Sequence, residues 1–159
     1  PRQTLFVIPT ETPVPTGAQP EPDVTETPEP TPEQPAGTVI GSGAFDSETG
    51  VGLNTHTVWT AAEQSDGSVK LTLSVYARSY TMEIGRRAIG ISVNGAEASG
   101  MTRSFSVNSP NAQTDTLIYS YATTVEKGSV TISVDWNYKG QYSGQELDVI
   151  SSSTIIPIS

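Results

Sequence analysis

The chain's one histidine, His56, stands between Thr55 and Thr57, and there is no cysteine. A hydroxyl or thiol nucleophile needs a base beside it. His56 opens an apolar-alternating run, so a structural place in a strand is the expectation, and no catalytic residue is assigned. Paired carboxylates are the other acid–base device, working across one cleft at about 5–10 Å. Asp46 with Glu48, and Glu146 with Asp148, stand near turn residues, where acids are ordinarily solvated. The run Asp46-Ser47-Glu48-Thr49-Gly50 has the alternating acids of a calcium-loop opening. It lacks the third ligand position and the closing glutamate, so it reads as a surface turn and no metal site is assigned. No Gly-Lys-Ser/Thr phosphate cradle occurs, and no cofactor is expected.

Binding chemistry is better represented. Arg86-Arg87, close to Glu83, forms a small basic spot on a connecting loop, where solvated charge is the default reading and contact with an acidic partner segment the sharper alternative. Trp59, Tyr76, Tyr119, Tyr121, Trp136, Tyr138 and Tyr142 lie on or beside β-prone runs. Protein interfaces and sugar sites both favour such rings. Trp136 alternates in phase with Val130, Ile132 and Val134 and is expected in the core. Tyr138 and Tyr142 bracket Lys139-Gly140, read as a turn, and are the candidates for an exposed ligand or surface contact; for the set of rings, packing in the core or at its rim is the leading reading and a ligand platform the alternative.

Strands must position these residues. Val69, Leu71, Leu73 and Val75 alternate with Lys70, Thr72 and Ser74; Val130, Ile132, Val134 and Trp136 alternate with Thr131, Ser133 and Asp135. A period of two with one apolar face packs one side and wets the other. Strands are expected over 38–45, 55–63, 69–77, 88–94, 96–107, 116–124, 129–138 and 147–157. Asn94-Gly95 between two of them is the strongest short hairpin signal, and Ser65-Asp66-Gly67-Ser68 and Glu126-Lys127-Gly128-Ser129 read as turns. No amphipathic helix is legible. The fold class is all-β: an antiparallel immunoglobulin-like β-sandwich over residues 38–159.

Ten of the twelve prolines precede Gly37. Proline removes backbone donors and fixes φ, so residues 1–37 are expected as an extended polyproline-II-like arm. The arm carries six carboxylates (Glu11, Glu21, Asp23, Glu26, Glu29, Glu33) against Arg2; of the total charge of −9, that leaves −4 on the domain. Such acidity argues against nucleic acid or anionic lipid as partner, and no apolar stretch is long enough to span a bilayer. No basic-then-apolar leader is read at the start. Thr12-Pro13, Thr27-Pro28 and Thr31-Pro32 also permit an O-glycosylated stalk. At the arm's tip Leu5, Phe6, Val7 and Ile8 form a β-prone apolar patch with no core of its own. It is expected to tether the chain by adding to a neighbour's sheet edge.

Several runs carry a resemblance: Ile91-Ser92-Val93-Asn94-Gly95, the Ser104-Phe105-Ser106 strand, Gly128 to Tyr138, Gly140-Gln141-Tyr142-Ser143-Gly144, and Ser151-Ser152-Ser153-Thr154-Ile155-Ile156-Pro157. Their succession resembles the β-sandwich repeat of tail and baseplate proteins from long-tailed phages of Gram-positive bacteria, over about two-thirds of the domain. The resemblance implies a non-enzymatic virion protein (tail, baseplate or capsid decoration). It also implies protein subunits of the same assembly as partners, in multiple copies by symmetry, and a place on the virion or an extracellular surface. The proline arm departs from that pattern, since such repeats sit in tandem. A second reading stays open: a carbohydrate- or cell-wall-binding module on the stalk of a secreted bacterial surface protein, in contact with host-surface glycan.

Overall fold

The computed structural model describes residues 36–159, so the expected tether, Leu5 to Ile8, lies outside the described residues. Ten strands follow in order: β1 (Thr38–Asp46), β2 (Asn54–Glu63), β3 (Val69–Ser79), β4 (Met82–Ile84), β5 (Ala88–Val93), β6 (Ala96–Met101), β7 (Phe105–Val107), β8 (Thr114–Val125), β9 (Gly128–Tyr142) and β10 (Gln145–Ile158). One sheet runs β1-β2-β3-β8 and a second runs β10-β9-β5-β6, with β4 and β7 forming a two-stranded flap. Every pairing is antiparallel. The chain crosses between sheets after β3, returns so that β8 lies beside β3, and closes the second sheet with β9 and β10. This is the Greek-key order of an immunoglobulin-like sandwich.

The two alternating runs supply the facing layers. Leu71, Leu73 and Val75 of β3 and Val130, Ile132, Val134 and Trp136 of β9 are all fully buried in one core. At about 25 cal/mol per Å² of apolar surface removed from water, such residues supply most of the drive to fold. Trp59 fits because β1 is nearly bare beneath it: Gly41 and Gly43 lie against the indole, and a Cβ on Gly43 would come within 2.8 Å of the ring nitrogen.

Turn chemistry follows the sequence at Asn94 (φ 50°) and Gly95 (φ 82°), both left-handed as a two-residue hairpin requires. At the Ser65–Ser68 turn the Ser68 hydroxyl, and then its backbone N–H, donate to the Asp66 carboxylate and hold it below the usual carboxylate range.

Four expectations are corrected. The run 96–107 is two strands in different sheets, because buried Thr102 turns the chain aside: its N–H and hydroxyl both donate to the Arg87 carbonyl, at 2.8 and 3.1 Å. Lys139-Gly140 is not a turn. Lys139 (φ 43°) sits in a β-bulge, where Tyr138 and Lys139 oppose Asp148 alone, and β9 continues to Tyr142. The turn comes later, at Ser143 (φ 51°) and Gly144 (φ 78°). In consequence Tyr138 and Tyr142 are not open rings: they are 4% and 7% exposed and belong to the core. The flap strand β4 was not foreseen, since three residues are too few to show a period.

Candidate functional site

The register gives the sandwich two distinct ends. Thr38 opposes Glu63, Glu63 opposes Val69 and Val69 opposes Val125, so the arm enters at one end, called proximal here. β9 starts at that end and reaches the other with Tyr142. The distal end gathers the 47–53 loop, the β3–β4 turn, the flap, the 108–113 loop and the β9–β10 hairpin.

A pocket of about 460 Å³ opens among these distal segments, its walls formed chiefly by Tyr80, Met82, Glu83, Pro110, Tyr138 and Tyr142. That volume lies within the usual range for ligand sites. Local chemistry builds it. Tyr80 N–H donates to Tyr142 Oη at 3.0 Å, pinning the β3–β4 turn to the β9 hairpin. Tyr138 Oη donates to the Gln141 carbonyl at 2.7 Å, its ring crossing Gly140 and meeting Trp136 edge-on at 5.3 Å. Burial pushes the Tyr138 phenol above its ordinary range, with Arg87 partly opposing. Ser109 N–H donates to Thr81 Oγ1 at 3.0 Å and seats the loop that carries Pro110.

Tyr80 was missed from the sequence and is the open ring at this site, 40% exposed. It rests over Gly52, whose left-handed backbone (φ 84°) and missing side chain leave the space. Nothing local in Ser79-Tyr80-Thr81 signals this; the contacts that seat Tyr80 come from Gly52 and Tyr142, 28 and 62 positions away in sequence. Of the two expected arginines, Arg87 is tied to a wall residue's backbone: its Nε donates to the Tyr138 carbonyl at 3.0 Å, and Thr102 Oγ1 accepts from its backbone N–H at 3.1 Å. Arg86 is exposed and makes no side-chain hydrogen bond or ion pair with a described residue. Of the four expected residues, Tyr138 and Tyr142 line this pocket as walls, Arg87 is bonded to the Tyr138 backbone, and Arg86 is not among the lining.

His56 has a carboxylate partner but no cleft. Its Nδ1 lies 2.5 Å from Asp46 Oδ1 on the outer face of the first sheet. Asp46 also lies 3.7 Å from Arg78, which forks onto Asp115 at 2.8 and 3.2 Å and is held above its ordinary range chiefly by that hydrogen bond. This is a row of four surface groups across neighbouring strands, of the kind worth little in isolation. The calcium-like run is tied down by protein: Ser47 is buried and bonds Thr55 in both directions, and the Thr49 hydroxyl donates to the Leu53 carbonyl. Among the described residues no three acidic or histidine side chains gather as metal ligands. A larger hollow, about 660 Å³, lies on the outer face of the second sheet over Gly90, between Glu97 and Asp135. Small and mostly polar residues line it, and none is aromatic.

The chain matches no family model, no curated protein and no solved structure.

Proposed function

We propose that the chain is a non-enzymatic structural and assembly protein of a phage virion, in a tail, a baseplate or a capsid decoration. Its N-terminal arm tethers it to a neighbouring subunit through Leu5, Phe6, Val7 and Ile8, and its immunoglobulin-like domain projects outward. The observation that carries this reading is the polarity of the sandwich. The arm enters β1 at one end, and the loops and the tyrosine-walled pocket stand at the other. A domain held by its arm therefore presents its loop crown away from the attachment. The sequence resemblance to phage β-sandwich repeats supports the same assignment.

Deleting residues 1–10 is expected to leave the domain folded, with unchanged thermal unfolding, because every core residue described lies between Leu53 and Ile158. The shortened chain is expected to be missing from purified particles. Particles that retain it at the wild-type level overturn the tether. A glycan-binding module remains the second reading, and Tyr80, rather than Tyr138 or Tyr142, is the ring it would rely on.

A further inference from the structure

We infer that the free edge of β10 is a dimerisation surface whose partner is the same edge of a second copy, the two strands pairing antiparallel about a two-fold axis at Ser152. The inference goes beyond the tethering reading above and does not rest on the arm.

The edge is open, straight and uncharged. β10 ends the second sheet, and among the described residues no strand pairs with its other side. Its register against β9 runs without a shift from Val149 to Ile158, ten residues. The other edge strands run seven (β8, Tyr119 to Val125), six (β1, Gly41 to Asp46) and six (β6, Ala96 to Met101). Residues Val149 to Ile156 carry no charge, in a chain of net charge −9. Folded proteins ordinarily blunt such an edge with charges, proline or bulges, because its unpaired N–H and C=O groups template another strand. Here the bulge between Leu147 and Val149 and the proline at Pro157 stand only at its two limits. On the same side of the sandwich β1, the edge of the first sheet, is uncharged from Thr38 to Phe45. Both strands there lack the acidity that would hold two copies apart.

Two observations fix the register. Val149 and Ile155, 41% and 69% exposed, are the large apolar side chains that β10 leaves open, both on the outer face, alternating with buried Ile150, Ser152 and Ile156. Apolar pattern sets strand register. Under two-fold symmetry Val149 lies opposite Ile155 of the second copy only when the axis passes through residue 152. That register also places Ser152 opposite its own counterpart. Ser152 faces inward, and its hydroxyl is buried with no hydrogen-bond partner among the described residues. Directly opposed serines hydrogen-bond across a strand pair, so dimerisation gives each orphan hydroxyl its partner. Asp148, the nearest carboxylate, falls opposite Ile156 of the second copy and not opposite another acid. Val149 to Ile155 then form seven residue pairs at about one hydrogen bond each, against roughly ten in a typical interface. The contact is isologous and closes as a dimer, joining two four-stranded sheets into one.

Sedimentation equilibrium of the full chain should show a monomer–dimer equilibrium. Ile155→Lys, at an exposed position, should weaken it by at least about tenfold with the circular dichroism spectrum unchanged, since a lysine on an edge blocks pairing. The chain has no cysteine, so Val149→Cys and Ile155→Cys can be introduced singly. Mixed under mild oxidation, they should give a disulfide-linked heterodimer much faster than either alone gives a homodimer. A chain still monomeric at millimolar concentration, a dimer that Ile155→Lys leaves intact, or cross-linking no faster in the mixture than in either variant would each overturn the inference. The chain lacking residues 1–10 should dimerise as the full chain does. Loss of the dimer on that deletion would assign the edge to the arm's apolar tip instead. The same deletion keeps the two readings apart: the shortened chain can be missing from particles and still dimerise, and the reverse.

Discussion

Replacing Trp136 by alanine should cost about 3–5 kcal/mol, the range for removing a large aromatic from a packed core. For a domain of this size that is a fall of roughly 10–25 °C in Tm. Trp136 is fully buried at the centre of β9, paired with Ile150 on one side and Ile89 on the other, with Tyr138 edge-on beside it. Removing it empties the layer on which the distal tyrosines rest, so the amide signals of Tyr80 and Tyr142 should shift as well. Trp136→Phe should be much milder. The indole N–H is buried without an acceptor among the described residues, so phenylalanine removes an unsatisfied donor while keeping most of the volume. Urea denaturation of both variants checks the pair. A phenylalanine variant as unstable as the alanine variant would mean that the indole nitrogen has a partner.

The second large effect comes from a glycine. Gly43→Ala should destabilise by about 1–3 kcal/mol, the cost of overpacking a filled site. The added methyl would stand 2.8–3.0 Å from three atoms of the Trp59 ring, which is held against the core and cannot swing clear. Gly90→Ala is the control of the same chemistry. Gly90 also lies in a strand, but a Cβ there meets nothing within 4 Å. Alanine at that position should therefore be neutral, or stabilising by up to about 1 kcal/mol through the unfolded chain's lost freedom. Equal effects at the two positions would show that general strand propensity, not the indole, sets the cost.

Much of the sandwich was legible because burial imposes a period of two. The apolar faces of β3 and β9, the core place of Trp136 and the Asn94-Gly95 hairpin all follow from local sequence, and the structure has each of them; the other face of β3 is not wetted as expected, since Thr72 and Ser74 are buried in the middle of the sheet. Apart from β4, too short to show a period, the misreadings share one cause: a residue's role was decided by a partner elsewhere in the chain. Lys139-Gly140 has turn composition, yet β10 continues beside it and converts the irregularity into a bulge. Thr102 looks like any strand threonine until its bonds to Arg87 redirect the chain into the flap. At the candidate site, Arg87 could be picked out by charge. Tyr80 could not, because the contacts that seat it, Gly52 against its ring and Tyr142 on its backbone N–H, lie far away in sequence.

The claim on which this account rests is that the arm's apolar tip is held by a neighbouring subunit while the sandwich stays a separate, fully packed body. Hydrogen exchange read at residues 5–8, in the purified assembly and in the free chain, tests it most directly. The account predicts slow exchange at those amides in the assembly and fast exchange in the free chain, with β9 amides slow in both. Exchange at residues 5–8 as fast in the assembly as in an unstructured peptide would contradict it.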